Sequence, residues 1–126
     1  MNATIITFAG HLADAPEIRF TPQGRPVARV RVAVNSRFQN GDGAWVDGAT
    51  SWHTVQAWGP LAEHLAESVA KGDRVLVHGR LEQREYTTDT GEKRTAWEVT
   101  ADEIGLSLRH TAAQATGAAR LGTEAR

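Results

Sequence analysis

Apolar and polar residues alternate at every second position along most of the chain, which predicts β-strands. The alternation predicts five strands, over residues 4–12, 26–36, 51–58, 74–86 and 93–104. A short extended piece, Glu17–Phe20, follows Pro16 and is not counted among the five. The chain is therefore predicted to be all-β apart from the segment between the third and fourth strands.

That segment has the spacing of a helix. Leu61, Leu65 and Val69 recur at i, i+4 and i+8, and Pro60 stands where a first helical turn accepts proline. We expect the helix to end at Gly72. Residues 39–50 contain three glycines and two aspartates and are predicted to form a mobile loop.

Five strands with one helix between strands 3 and 4 is the order of an OB-fold, a five-stranded Greek-key barrel that binds oligonucleotides or oligosaccharides. Small all-β sandwiches have similar strand spacing, so the pattern leaves both open. We expect the folded domain to span residues 1–110. Residues 111–126 are mostly alanine, threonine, glycine and scattered charge, and we expect them to form a disordered tail.

Composition narrows the class of protein. The chain has 126 residues and no cysteine, which excludes disulfides, thiolate metal sites and a cysteine nucleophile. No apolar run is long enough for a membrane span, and the N-terminus does not resemble a signal peptide, so we expect a cytoplasmic location, associated with the nucleoid if the protein binds DNA. A net charge of −1 argues weakly against nucleic acid, but the local field matters more than the total.

The third predicted strand has an unusual distribution of side chains. Its large rings share one face with polar residues, while the small apolar residues lie on the other face, the reverse of a core strand. The first face carries Trp52, Thr54, Gln56 and Trp58, and the second His53, Val55 and Ala57. Trp52 and Trp58 could still be ordinary half-buried sheet residues, because aromatics favour strands.

Neighbouring strands place arginines on the polar face. Arg29 and Arg31 lie opposite the valines of strand 2, and Arg80, Arg84 and Tyr86 share a side of strand 4. Aromatic rings interleaved with guanidiniums suit single-stranded nucleic acid, because bases stack on rings and arginine neutralises phosphate. The candidate binding residues are Trp52, Trp58, Phe38, Tyr86, Arg29, Arg31, Arg80 and Arg84.

Other notable residues have less specific interpretations. Trp97 shares its side with Val99 and Ala101, so we expect it in the core or at a subunit contact. Trp45 lies in the predicted loop, where it could contact the nucleic acid or be merely exposed. The five histidines lack metal-ligand spacing, and nothing marks catalytic residues, a metal site or a cofactor site.

Several stretches, in this order, resemble the bacterial single-stranded DNA-binding protein family over most of residues 1–110. Residues 102–109, at the end of this match, resemble the actinobacterial branch of the family. The stretches are Gly10-His11-Leu12, Ala15-Pro16-Glu17-Ile18-Arg19-Phe20, Val30-Arg31-Val32-Ala33-Val34, Trp52-His53-Thr54-Val55-Gln56-Ala57-Trp58-Gly59, Leu61-Ala62-Glu63, Lys71-Gly72-Asp73-Arg74-Val75, Gly79-Arg80-Leu81 and Asp102-Glu103-Ile104-Gly105-Leu106-Ser107-Leu108-Arg109.

The resemblance implies an OB barrel assembled as a homotetramer around which single-stranded DNA wraps. It implies stacking by Trp52, Trp58, Phe38 and Tyr86, although many members have tryptophan at the last two positions. It places His53 toward subunit contacts. Members usually end in an acidic, hydrophobic tip that recruits replication and repair enzymes. The sequence Gly122-Thr123-Glu124-Ala125-Arg126 lacks that character, so recruitment is not expected and the chain resembles the family's short forms.

The leading hypothesis is a non-enzymatic protein that binds and protects single-stranded DNA in replication, recombination and repair. The alternative is an OB-fold oligomeric module that docks on replication partners and binds little DNA itself. A third possibility, an OB-fold hydrolase, would require metal or nuclease activity.

Overall fold

A computed structural model describes residues 3–116. This part of the chain contains six strands and a single helix. The strands are β1 (Thr4–Leu12), β2 (Glu17–Phe20), β3 (Pro26–Gln39), β4 (Trp45–Trp58), β5 (Arg74–Thr87) and β6 (Lys93–Leu106), and the helix is α1 (Pro60–Ser68). The short piece at Glu17–Phe20 is thus a strand, which pairs antiparallel with the start of β3.

The sheet closes on itself into a barrel. The strand order is β1-β5-β6-β4-β3-β2, and an additional pairing of β1 with β3 completes the ring. All pairings are antiparallel except β4 with β6, which run parallel. This is the predicted five-stranded OB barrel with β2 added at its edge. The helix lies at the predicted place in the chain, but between β4 and β5 once β2 is numbered.

The core is built mainly from valines on the inward sides of the strands. Val32, Val55, Val75, Val77 and Val99 are all less than 2% exposed, and Ala62 and Leu65 of α1 are buried against one end of the barrel. Gly79 allows two strands to approach closely, because a Cβ there would collide with the backbone carbonyl of Thr100. The alternation read from the sequence therefore defines the inside of the barrel.

The predicted mobile loop at residues 39–50 is wrong. Most of this segment continues β3 and β4 as a hairpin, with Phe38 paired to Val46. The turn is confined to residues 40–44, where the Asn40 side-chain oxygen accepts hydrogen bonds from the backbone N–H groups of Asp42 (2.9 Å) and Ala44 (3.1 Å). Gly48 lies within β4, where a Cβ would come within 2.5 Å of the Ser36 hydroxyl oxygen of β3.

The helix is shorter than predicted. It ends at Ser68, because Val69 adopts an extended conformation, and Gly72 instead supplies the positive φ of 91° in the turn that follows. Asp73 organises that turn, since its carboxylate accepts a hydrogen bond from the backbone N–H of Ala70 at 2.8 Å. Gly72 therefore ends the connection to β5 and not the helix itself.

Trp97 is not a core residue. It lies on the inward side of β6, but the β5–β6 hairpin extends past the barrel at this point, and Trp97 pairs with Gln83 and is 58% exposed. A subunit contact at Trp97 stays a prediction.

The chain beyond β6 contains no helix or strand up to residue 116. Residues 117–126, and with them most of the predicted disordered tail and the terminal residues on which the prediction about recruitment depends, lie outside the described residues. Within residues 3–116, no helix combines the length and apolar character that crossing a membrane requires.

Candidate nucleic-acid interface

The outward side of β4 presents the rings that the sequence singled out. Trp52 is 59% exposed and Trp58 is half-buried, while Val55 and Ala57 between them point inward and are fully buried. Since successive strand residues point to opposite sides, filling the barrel with Val55 and Ala57 forces the indoles outward. Trp52 and Trp58 are therefore accessible on the outer face of the barrel.

Arginines lie over three of the predicted rings. The Arg31 guanidinium carbon is 5.4 Å from the ring centre of Trp52, and Arg84 lies 5.8 Å from that of Tyr86. Arg25 lies 4.9 Å from the ring centre of Trp58. At these distances a guanidinium is attracted to the face of the ring. Each ring is thus paired with a cation that could also meet a phosphate.

Arg25 was missed by the sequence analysis. Arg25 follows the turn at Gly24. Only the pairing of Val27 in β3 with Trp58 in β4 brings it next to the Trp58 ring. The backbone N–H of Gly59 also donates to the carbonyl of Pro26 at 3.0 Å, which fixes the start of β3 beside Trp58. The turn was recognisable in the sequence, but its distance from Trp58 was not.

Phe38 and Tyr86 lie on the two hairpins that extend from the barrel. Tyr86 is 41% exposed and shares its side of β5 with Arg84. Phe38 is 53% exposed, but it lies on the same side of β3 as the inward-pointing Val32, and its ring lies against Gly48. The structure therefore places Trp52 and Trp58 on one strand of the barrel, with the other two rings on separate hairpins.

Every predicted arginine has a carboxylate neighbour. Arg31 pairs with Asp14 at 3.0 Å, and Arg80 lies 4.0 Å from Glu82. The side chains of both carboxylates are more than half exposed. Exposed pairs of this kind contribute only about 0–1 kcal/mol to stability, so a phosphate can replace the carboxylate.

The pairing of Arg29 and Arg84 is different, because both contact the same buried carboxylate, Glu98. The Arg84 Nε is 3.2 Å from Glu98, and Arg29 donates from Nη2 to the other carboxylate oxygen. The Gln56 amide also donates to Glu98 at 2.9 Å. Glu98 is only 7% exposed. We call Arg29, Gln56, Arg84 and Glu98 the Glu98 cluster.

Glu98 was the main omission of the sequence analysis, although a signal existed. Trp97 and Val99 were assigned to the inward side, so Glu98 must point outward with the arginines. What the sequence did not show is the parallel pairing of Thr54 in β4 with Glu98 in β6. That pairing brings the carboxylate into the centre of the outer face.

A cleft of about 320 Å³ opens beside the Glu98 cluster. Its walls include the Trp58 ring and two members of the cluster, and its lining is both charged and apolar. The lining residues are Glu17, Arg19, Val27, Arg29, Gln56 and Trp58. A flat, polar-edged group such as a nucleobase could contact a ring and hydrogen-bonding side chains there.

His53 lies on the opposite side of β4 from Trp52. It is half-buried, and its ring centre is 4.7 Å from that of Phe8 in the same chain. Its predicted role at a subunit contact stays a prediction. Within residues 3–116, no group of three or more histidine, aspartate or glutamate side chains is arranged to hold a metal ion.

Comparison with known proteins gives a consistent result. The model of the single-strand binding protein family matches residues 1–107. Single-stranded DNA-binding protein 2 of Streptomyces coelicolor is 46% identical over 114 residues, which cover 90% of this chain and 57% of that protein. The single-stranded DNA-binding protein of Mycolicibacterium smegmatis is 47% identical over 120 residues, covering 94% and 73% respectively.

A solved structure is also similar. The crystal structure of a small single-stranded DNA-binding protein from Streptomyces coelicolor superimposes with a TM-score of 0.74 at 37% sequence identity. The match covers 86% of this chain and 97% of that one. The chain thus matches a little over half of the length of single-stranded DNA-binding protein 2 but nearly all of the small Streptomyces protein in the crystal structure.

Proposed function

The chain belongs to the single-strand binding protein family, and on that premise we propose that it binds and protects single-stranded DNA with little sequence preference. The binding domain is residues 1–110, and the activity is binding without a chemical step. The occasions for it are replication, recombination and repair, in the cytoplasm at the nucleoid. We expect these roles in replication, recombination and repair because the chain belongs to this family.

The exposure of Trp52 carries the proposal. A 59% exposed indole beneath the Arg31 guanidinium offers a flat surface for a base and a cation for the adjoining phosphate. Stacking on an aromatic ring contributes about 1–3 kcal/mol per base and tolerates any base. Trp58 provides a second ring six residues along the same strand, about 20 Å from Trp52, so it would stack a base several nucleotides further along the DNA.

The remaining candidate residues extend this surface. Phe38 and Tyr86 stack bases that pass over the two hairpins, and their exposure supports that role. Arg31 and Arg80 bind phosphates in exchange for their exposed carboxylate neighbours. Arg29 and Arg84 bind phosphate from the Glu98 cluster. Arginine suits these positions because its planar group has five N–H donors and also stacks.

We propose a homotetramer as the assembly. Ile5 of β1 and Leu76 of β5 are 55% and 51% exposed on neighbouring strands, and Trp97 is another large exposed apolar residue. Contact with other subunits would bury such residues. His53 is half-buried beside Phe8, and we place it toward a subunit contact as well.

The proposal is tested by fluorescence anisotropy with a labelled oligo-dT and the full chain. We expect saturable binding that an unlabelled single strand competes away and that a duplex of matched length does not. The logarithm of the affinity should fall linearly with the logarithm of the salt concentration, because arginines that bind the phosphates displace the cations condensed on the DNA. Absence of binding at low salt would contradict the proposal and favour an interaction module instead.

A further inference from the structure

Glu98 is a negative charge in the middle of a surface that meets phosphates. We propose that Glu98 acts as a fixed counter-charge, so that Arg29 and Arg84 together neutralise one phosphate instead of two. Glu98 would thereby limit how tightly the outer face binds the DNA backbone. This inference rests on the proposed function and concerns the same face.

Burial distinguishes Glu98 from the other carboxylates on this face. The Glu98 side chain is 9% exposed, whereas the Asp14 and Glu82 side chains are 58% and 53% exposed. When a phosphate reaches Arg31, the exposed Asp14 carboxylate can turn into water, and Glu82 beside Arg80 is also open to water although it accepts a hydrogen bond from the Thr100 hydroxyl at 2.6 Å. Glu98 lies beneath its two arginines and has no such alternative.

Hydrogen bonds also hold Glu98 in place. One carboxylate oxygen accepts from the Gln56 amide at 2.9 Å and lies 3.2 Å from the Arg84 Nε, and the other accepts from Arg29. These partners come from three different strands, β4, β5 and β3. Moving the carboxylate would leave a buried charge without partners, which is costly. The charge therefore stays in the face when DNA binds.

The charge balance of the cluster then determines the number of phosphates. Two guanidiniums and one carboxylate leave a single positive charge. The two arginine side chains remain 48% and 53% exposed, and each has N–H donors that Glu98 does not use. The N–H donors of both guanidiniums can therefore bind the DNA strand, while the cluster attracts that DNA with only one net positive charge.

A purely structural role for Glu98 is the competing explanation. Glu98 pairs directly with Glu82 on β5, and like charges in that arrangement repel, so the arginines would simply offset the repulsion. That explanation predicts a loss of stability when Glu98 is changed, but no systematic dependence of DNA binding on the cluster's charge. The salt dependence of binding separates the two.

The experiment measures the affinity of the full chain for an oligo-dT short enough to meet one subunit, between about 50 and 200 mM salt. Each phosphate neutralised on a single strand contributes about −0.7 to the slope of log affinity against log salt. Glu98→Gln should steepen the slope by about 0.7, so its affinity falls about 2.6-fold more than wild type over this range. Arg84→Gln should make the slope shallower by about 0.7.

Two double variants extend the test, and because both contain Arg84→Gln, the loss of the Arg84 contact to Tyr86 is common to them and to the single Arg84→Gln variant. Arg84→Gln/Glu98→Gln has the same net cluster charge as wild type and should recover the wild-type slope. Arg29→Gln/Arg84→Gln leaves Glu98 untouched and should lose about 0.7 in slope, no more than either single arginine variant. If Arg29 and Arg84 each neutralised a phosphate independently, the slope of the double variant would instead be shallower than that of wild type by about 1.4.

Glu85→Gln is the matched control, because it removes one negative charge from the other side of β5, where Glu85 is exposed. Its slope should stay at the wild-type value. Thermal unfolding of each variant identifies losses of fold. An unchanged slope in folded Glu98→Gln, or an additive loss in the double arginine variant, would overturn the inference. Failure of wild type itself to bind would overturn the proposed function.

Discussion

Two tryptophans of almost equal exposure lie on opposite sides of the sheet, and their surroundings differ. Trp52 is 59% exposed on the outer side, with Arg31 over its ring and Asp14 holding that arginine at 3.0 Å. Trp97 is 58% exposed on the inward side of the β5–β6 hairpin, opposite Gln83 and on the same side as Glu85. Exposure is therefore common to both rings, and the feature that we propose marks Trp52 for binding is the Arg31 guanidinium over its ring.

The comparison extends along the strands to which these residues belong. The inward side of β4 and β6 supplies Val55 and Val99, which are buried in the barrel. Trp97 continues that side only where the hairpin passes the end of the core. The outer side keeps its indoles accessible throughout. The inner side forms the core of the barrel, and under the proposed function the outer side of β4 carries the Trp52 and Trp58 rings on which bases stack.

The largest effect is expected from a charge on the inner side. Val55→Asp would bury an unpaired carboxylate at a fully buried position, which destabilises the fold by about 3–5 kcal/mol. Ser51→Asp, at an exposed position of the same strand, should change stability by no more than about 0.5 kcal/mol. Urea unfolding measures both. Equal stability of the two variants would contradict the assignment of β4's inner side to the core.

An intermediate effect is expected on the outer side. Trp52→Ala and Trp58→Ala should each weaken binding to oligo-dT by about 1–3 kcal/mol, because a stacked base loses its ring. Since Trp52 is exposed, its loss should leave the unfolding curve close to that of wild type. Anisotropy titrations give the affinities. Wild-type affinity in both variants would reject the stacking surface.

The smallest effect on binding is expected from Trp97→Ala. Its affinity for a short oligo-dT should stay close to that of wild type, well short of the loss of about 1–3 kcal/mol expected when a stacking ring is removed. If Trp97 contacts another subunit, sizing by light scattering should instead show a shift toward smaller species. A loss of affinity as large as that of Trp52→Ala would remove the distinction between the two sides.

The strands and their inward sides were predictable because the signal for them is local, whereas the same pattern left a barrel and a sandwich open. Alternation within each strand identified the inward valines without knowledge of which strands pair. The segment at 39–50 differs from the prediction because glycine alone does not distinguish a turn from a strand: Gly43 has the positive φ of the turn, whereas Gly48 lies within β4 beside Ser36 of β3. The end of the helix was wrong for a related reason, since Gly72 serves the turn that Asp73 organises.

For the site, the sequence predicted only the side of its strand on which each residue lies. Parity placed Trp52, Trp58 and the arginines on one side, but Arg25 and Glu98 acquire their neighbours through pairing between distant strands. The register of β3 on β4 brings Arg25 to Trp58, and the parallel pairing of β4 with β6 brings Glu98 to Arg29. Such contacts depend on topology, which a single sequence leaves open.

The most direct measurement is the intrinsic tryptophan fluorescence of the full chain during titration with oligo-dT. Indoles that stack on bases should be quenched, so wild type and Trp97→Phe should lose emission in parallel with binding. The variant Trp52→Phe/Trp58→Phe should lose most of that response, although Trp45 and Trp97 still emit. Quenching as deep in the double variant as in wild type would show that the bases stack elsewhere, and would contradict the account.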